Sequence, residues 1–319
     1  MPSWSPRTER TVVKGLALAE RYFLAHGQPL LRDKYAAHVS RMAVGLVGDG
    51  SECFGFDDQL SQDHDWGPGF CVWLTRQDYA GIGNRLREDI SALPTAFEGY
   101  TRLGSDWGHG RVGVHEITAF YRRFTGLESL PGSAEQWLWL PENALATATN
   151  GKVFCDPSGE FSRWRNHLLG FYPADARLKK IAARCMSIAQ AGQYNYPRSV
   201  RREDPLAAQY AETKFCADVI SLVFLLNCRF TPYYKWMHRA VRGLPKLGSW
   251  AHAAIADLLR TGSATSKINQ MEHICASLIR QLREEDLSES PSDFLLDHGP
   301  CVQRRIQDPA IRALDVWAG

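Results

Sequence analysis

The stretch GDGSECFGFDDQLSQDHDWG, Gly48 to Gly67, places six carboxylates within twenty residues, beside a Gly-Ser step, a histidine and a tryptophan. Like charges this close repel unless they are solvated or something positive sits among them. The flanks help to choose. RMAVGLVG (Arg41–Gly48) is a short β-type run ending in glycine, and Asp63 to Thr75 reads as a second strand interrupted by Gly67-Pro68-Gly69. The order is therefore strand, Gly50-Ser51 turn, loop, then Asp63-x-Asp65 at the start of a strand. In a strand, residues i and i+2 share a face. Asp63 and Asp65 are thus expected side by side, with His64 pointing the other way. Two adjacent carboxylates suit a hard cation, Mg²⁺ or Mn²⁺. The backbone N–H groups and hydroxyl of the Gly50-Ser51 turn suit phosphate oxygens.

Other ligand loops fit poorly. An EF-hand counted from Asp63 has Gly67 fifth and Leu74 twelfth, and one counted from Asp57 has Pro68 twelfth, so neither register supplies the required residues. Glycines 45, 48 and 50 do not form a dinucleotide fingerprint. A His64-Asp65 doublet of the metal phosphohydrolase kind needs helical flanks, whereas these read as strand.

The chain of 319 residues is 45% hydrophobic and 11% aromatic with a formal net charge of +2, which fits a folded globular protein and gives no global attraction to nucleic acid or anionic membrane. Its eight cysteines include no C-x-x-C pair, so neither a zinc ribbon nor a thioredoxin-type site is suggested. MPSWSPRTER lacks the apolar core of a signal peptide, and the run from Val219 to Asn227 is too short to span a bilayer. A reducing cytoplasm is the expected compartment.

Apolar spacing from Pro6 to Leu30 predicts a leading amphipathic helix, and a further helix is expected from Arg76 to about Ala92. GYTRLG and Arg111–Phe120 read as further strands. After about residue 160, RLKKIAARCMSIAQAG, AAQYAETKFCADVISLVFLLN, WAHAAIADLLRTG and INQMEHICASLIRQLREED show helical periodicity. The expected fold class is α+β: a mixed-sheet domain over residues 1–160, then an all-helical bundle over 161–319.

Gly-Ser, eleven intervening residues and Asp-x-Asp resembles the hallmark of the DNA polymerase β-like nucleotidyltransferase superfamily. GSECFGFDDQLSQDHDWGP, AGQYNYPRSVRRED and FLLNCRFTPYYKW look like a bacterial family described as a domain of unknown function joined to that fold, over roughly residues 40 to 240. The architecture is similar to that of kanamycin nucleotidyltransferase. One departure is His64 at the centre of a normally apolar Asp-x-Asp step. The resemblance implies that Gly50 and Ser51 bind the phosphates of a nucleoside triphosphate, ATP by preference. It implies that Asp63 and Asp65 hold Mg²⁺ or Mn²⁺, with a third carboxylate on a later strand. Glu116, inside Val112–Ile117, is assigned that role, with Asp106 in a Gly-rich turn as the alternative. A nucleoside monophosphate would then pass to a hydroxyl acceptor as pyrophosphate leaves.

In the second half, QYNYPRSVRR (Gln193–Arg202) interleaves aromatics with arginines, and Tyr233-Tyr-Lys-Trp236 sets a lysine among aromatics. Tyr194, Arg198 and Lys235 are the candidate nucleotide contacts there, against a plain reading as solvated helix ends. Glu212 is an acceptor-side base by analogy alone. Asp57 and Asp58 read more simply as loop charges than as ligands. A small-molecule hydroxyl is the expected acceptor. RNA, a protein side chain and a non-catalytic nucleotide sensor are the alternatives, no membrane partner is expected, and a homodimer is left open.

Overall fold

The computed structural model describes residues 13–105, 108 and 110–319. The chain divides into two compact units, one of residues 1–129 and 147–169, the other of residues 130–146 and 170–319. Residues 130–146 precede the expected boundary at 160 yet count with the second unit, and residues 161–169 follow it yet count with the first. The protein is α+β, with one small mixed sheet and many helices.

The first unit opens with helix α1 (Gly15–Tyr22), which runs through a π-helical turn (Phe23–Gly27) into α2 (Gln28–Lys34). The expected leading helix is thus present from Gly15, and its first residues lie outside the described ones. Strand β1 (Ala43–Leu46) follows, then β2 (Cys71–Leu74) and α3 (Arg76–Ser91). Thr75 caps α3, its hydroxyl accepting from the Asp78 N–H at 3.1 Å. A two-residue hairpin, β3 (Ala96–Phe97) and β4 (Tyr100–Thr101), leads to β5 (Gly113–Glu116) and α4 (Ile117–Thr125). Helices α5 (Ala134–Leu138) and α6 (Glu142–Thr149) come next, and β6 (Lys152–Cys155) and α7 (Glu160–Leu169) return to the first unit.

The sheet order is β5-β2-β1-β6. β1 is antiparallel to β2, with Gly45 opposite Cys71, and β2 is parallel to β5, with Cys71 opposite Gly113 and Leu74 opposite Glu116. β1 also pairs antiparallel with β6. β1 and β2 are buried at every position, as strands covered on both faces should be. One core cluster joins Tyr22, Phe23 and Phe70 to Val44, Val72 and Leu86. Elsewhere in the unit Trp73 stacks on Phe161 with ring centroids 3.9 Å apart.

Two expected strands are shorter than their sequence patterns. β2 begins at Cys71 rather than Asp63, because Gly67 at φ +122° and Pro68 break the extended run. The Arg111–Phe120 pattern is strand only to Glu116. There the Glu116 carboxylate caps α4, and Ile117, Phe120 and Tyr121 are buried at helical spacing.

The second unit contains the four expected long helical patterns. α8 (Ala174–Ile188) passes through a π segment (Ala189–Asn195) into α9 (Tyr196–Arg201), and α10 (Pro205–Leu226) follows. After α11 (Tyr234–Val241) come α12 (Gly248–Arg260) and α13 (Ala264–Glu284), and the chain ends with α14 (His298–Arg304) and α15 (Pro309–Arg312). In the π segment Gln193 reaches out to Glu272 and to the Leu295 N–H. Glu142, from α6, is a buried hub that accepts from Arg184, Ser221 and Thr231. No helix among the described residues is long and apolar enough to cross a membrane.

Candidate functional site

Strand register determines what meets at one edge of the sheet. Because β1 runs against β2 and β2 runs with β5, the end of β1 lies beside the starts of β2 and β5. Three segments therefore emerge together: residues 47–57 after β1, residues 63–70 before β2, and the described residues of 102–112 before β5. The quoted acidic stretch and a Gly- and Arg-containing stretch about forty residues later share this edge.

Each carboxylate of the acidic stretch has a definite environment. Asp49 pairs with Arg123 at 3.0 Å. Asp57 is buried, accepting from the Gly15 N–H at 2.7 Å and Trp66 Nε1 at 3.1 Å, with Lys14 Nζ 3.4 Å from its other oxygen. Asp58 caps the short 3-10 helix Gln59–Gln62 through the Leu60 and Ser61 N–H groups. Glu52 is buried, and a Cβ added to Gly50 would stand 2.7 Å from its carboxylate, so the side chain folds back over the turn. Burial raises the Glu52 pKa, opposed by the charges of Arg102 and Arg111. The positive charge that the sequence demands is thus supplied in large part by the chain itself.

Asp65 is the centre of this arrangement. It takes a left-handed φ of +54° and its side chain is only 3% exposed. Its carboxylate accepts from the Ser105 N–H (3.0 Å) and Ser105 hydroxyl (2.5 Å), with His64 Nδ1 at 3.0 Å and Arg111 at 3.9 Å. Burial works against ionisation, but these donors outweigh it and hold the Asp65 pKa at about 2. Arg102 donates to the Asp65 carbonyl at 2.7 Å and fixes the same turn from behind.

Asp63 and Asp65 do not project from one face of a strand. Asp63 follows the 3-10 helix with its side chain 65% exposed, and one of its oxygens accepts the His64 N–H. His64 does not point away. Its ring lies within reach of both carboxylates, with Nε2 3.5 Å from Asp63 and Nδ1 3.0 Å from Asp65. The two carboxylates thus flank one imidazole as a pair, and carboxylate oxygen is the donor type that a hard divalent cation takes. Glu116 does not complete it. Both of its oxygens accept from the first turn of α4, the Thr118 and Ala119 N–H groups at 2.8 and 2.7 Å. It also stands at the Leu74 end of the β2–β5 pair, three residues or roughly 10 Å of strand from the end that carries Asp65. Among the described residues no three His, Cys, Asp or Glu side chains converge as a metal group. The alternative third carboxylate, Asp106, lies outside the described residues.

The Gly50-Ser51 turn follows β1 directly. Gly48, at φ +122°, has both its N–H and its C=O bonded to the Asn150 side chain at 2.9 Å, which anchors the turn. Gly50 takes φ +142°, a conformation that L side chains rarely adopt. The Ser51 carbonyl accepts from Phe54 and Phe56, and the residue is half-buried. On the far side of Asp65, a cleft of about 550 Å³ opens between α3 and the start of β5, walled by Phe70, Ile90 and Val112 and reached by Arg87, Arg102 and Asp65. Arg102, Ser105 and Arg111 form no recognisable motif. Their only trace in the sequence is cationic residues bracketing the Gly-rich run 104–113.

The remaining candidates belong to the second unit. Arg198 lies over the Tyr194 ring, 4.1 Å from its centroid, and both side chains are exposed on the π segment and α9. Lys235 is exposed with its ammonium 5.1 Å from the Trp236 ring. Glu212 is buried and bonded to Lys267 at 2.6 and 2.7 Å, which makes it a structural ion pair.

A family model described as a domain of unknown function (DUF4037) matches residues 137–237. That span contains the AGQYNYPRSVRRED and FLLNCRFTPYYKW stretches, whereas the acidic stretch of residues 48–67 lies outside it. No curated protein and no solved structure matches the chain.

Proposed function

We propose that the protein is a nucleotidyltransferase, moving a nucleoside monophosphate from a nucleoside triphosphate to a hydroxyl of a small-molecule acceptor. The observation that carries this reading is the shared edge: the Gly50-Ser51 turn leaves β1 where the Asp63–Asp65 segment enters β2, on neighbouring antiparallel strands. The two segments thus sit together, which supports reading them as a phosphate cradle and a carboxylate pair, as the Gly-Ser and Asp-x-Asp spacing suggests. The sheet and the helical second unit are compatible with a nucleotidyltransferase domain followed by a helical one.

The turn's N–H groups and the Ser51 hydroxyl bind the terminal phosphates. Asp63 and Asp65 would hold Mg²⁺ or Mn²⁺, which neutralises charge on the phosphates when bound. Ser105 and Arg102 keep the Asp65 turn rigid, so its carboxylate is positioned before substrate arrives. The acceptor oxygen forms its bond to the α-phosphorus as the bond from that phosphorus to the β-bridging oxygen breaks, and pyrophosphate leaves. The hydroxyl proton passes to the exposed carboxylate of Asp63.

The test is incubation of the protein with each α-³²P-labelled nucleoside triphosphate, Mg²⁺ or Mn²⁺, and a cell extract as acceptor pool. Metal-dependent transfer that Asp63→Asn abolishes supports the reading, because a change at so exposed a side chain is expected to leave the fold intact. Product size separates small molecules from RNA and protein. Transfer unchanged in Asp63→Asn, or nucleotide binding without turnover under every metal, would overturn it.

A further inference from the structure

The cleft beside Asp65 has a property that the nucleotide reading does not use. Arg102 reaches it and is only partly exposed, yet it donates to the Asp65 and Gly67 carbonyls, at 2.7 and 3.5 Å. Neither partner carries a charge. Glu52 attracts this guanidinium through space, and burial still lowers the Arg102 pKa. Arg87 adds a second cation, its guanidinium held by Asn84 and the Tyr79 hydroxyl. Among the described residues the acid that lines the cleft is Asp65, which already has the donors of Ser105 and His64 and the nearby charge of Arg111. The walls between these groups are apolar: Phe70, Ile90, Leu93 and Val112.

In the order β5-β2-β1, Gly50-Ser51 follows β1, the cleft stands against β5 and α3, and Asp65 leads into β2 between them. A group bound at the turn and one bound in the cleft would thus lie on either side of the strand that Asp65 leads into. A volume of about 550 Å³ suits a small molecule and is far too small for a folded partner or a duplex.

We propose that this cleft is the acceptor site and that it takes a small organic anion, an apolar or aromatic body whose carboxylate or phosphate pairs with Arg102. Guanidinium is suited to such groups because its planar fork meets two oxygens at once. The acceptor assignment rests on the nucleotidyltransferase reading. The anion site does not.

The experiment is equilibrium dialysis of the full chain, without nucleotide or metal, against 1-naphthoate, 1-naphthyl phosphate and neutral 1-naphthol. At least one anion is expected to bind about tenfold more tightly than naphthol, and which one does so distinguishes carboxylate from phosphate. Arg102→Met should erase that preference. Because Arg102 also supports the Asp65 turn, Ser91→Trp is the second variant. It places bulk on an exposed position of the cleft rim and should abolish binding of every probe. Equal binding of naphthol, or wild-type binding by Ser91→Trp, would overturn the anion site. In the label-transfer assay Ser91→Trp should lose transfer yet retain nucleotide binding. Transfer at the wild-type rate would refute the acceptor assignment alone. If the wild type transfers nothing, the nucleotidyltransferase reading and the acceptor role fall together, and dialysis still decides the anion site.

Discussion

Asp65→Asn is the most informative single change in the first unit. The folded carboxylate has a pKa of about 2 against an ordinary value of 3.8. At about 1.4 kcal/mol per unit, the ionised form contributes on the order of 2 kcal/mol at neutral pH. The folded value lies below the unfolded one, so this contribution is complete above pH 3.8, declines as pH falls, and is gone below about 2. Asparagine keeps the shape and loses the charge, and it turns an amide N–H₂ toward donors that need an acceptor. Urea denaturation of wild type and Asp65→Asn, followed by tryptophan fluorescence, should show a gap of about 2 kcal/mol at pH 7 that shrinks to about half at pH 3. Asp63→Asn, at an exposed position, should stay within about 0.5 kcal/mol of wild type. A gap for Asp65→Asn that is the same at both pH values would refute the claim that hydrogen bonds to an ionised carboxylate hold this turn.

Two further outcomes follow from the fold. Glu116→Ala removes the acceptor for two N–H groups at the start of α4 and should cost about 1 kcal/mol in the same denaturation assay, without changing nucleotide affinity. Loss of nucleotide binding from this substitution would contradict its role as a helix cap. Gly151→Ala adds a Cβ 2.0 Å from the Leu46 carbonyl oxygen at φ +64° and should lower stability by about 3 kcal/mol or more, whereas Gly81→Ala in α3, with open space around it, should raise stability by about 0.5 kcal/mol. Thermal melts of the pair test both signs at once.

The helical half was legible because long periodic patterns leave little choice. The segment 207–227 lies almost wholly within α10 and the segment 268–286 within α13, each overrunning its helix by one or two residues at the C-terminal end, while α13 starts four residues earlier than its pattern. Short apolar runs carried less information. Residues 111–120 hold enough β-branched and aromatic side chains to read as strand throughout, and only the capping geometry at Glu116 shows where helix takes over. The carboxylates of the candidate site could be seen in the sequence, but not their partners. Asp65 meets Ser105 across forty residues of chain, and the β2–β5 register that joins them has no local signature. His64 was misread because a strand was assumed where Gly67 forces a turn.

The first unit is completed late. Its central strands come from the first 120 residues, but β6 and α7 are encoded only after the 130–146 segment that belongs to the other unit. On a nascent chain, β1 has β2 on one side and nothing on the other until residue 155 has been synthesised, and Trp73 has no Phe161 to stack on. An uncovered strand of this composition, Ala-Val-Gly-Leu, is a ready template for pairing with another chain. Translation that stops near residue 129 therefore yields not a smaller working domain but a sticky fragment. Any attempt to express this unit by itself has to bridge from residue 129 to residue 147 rather than cut.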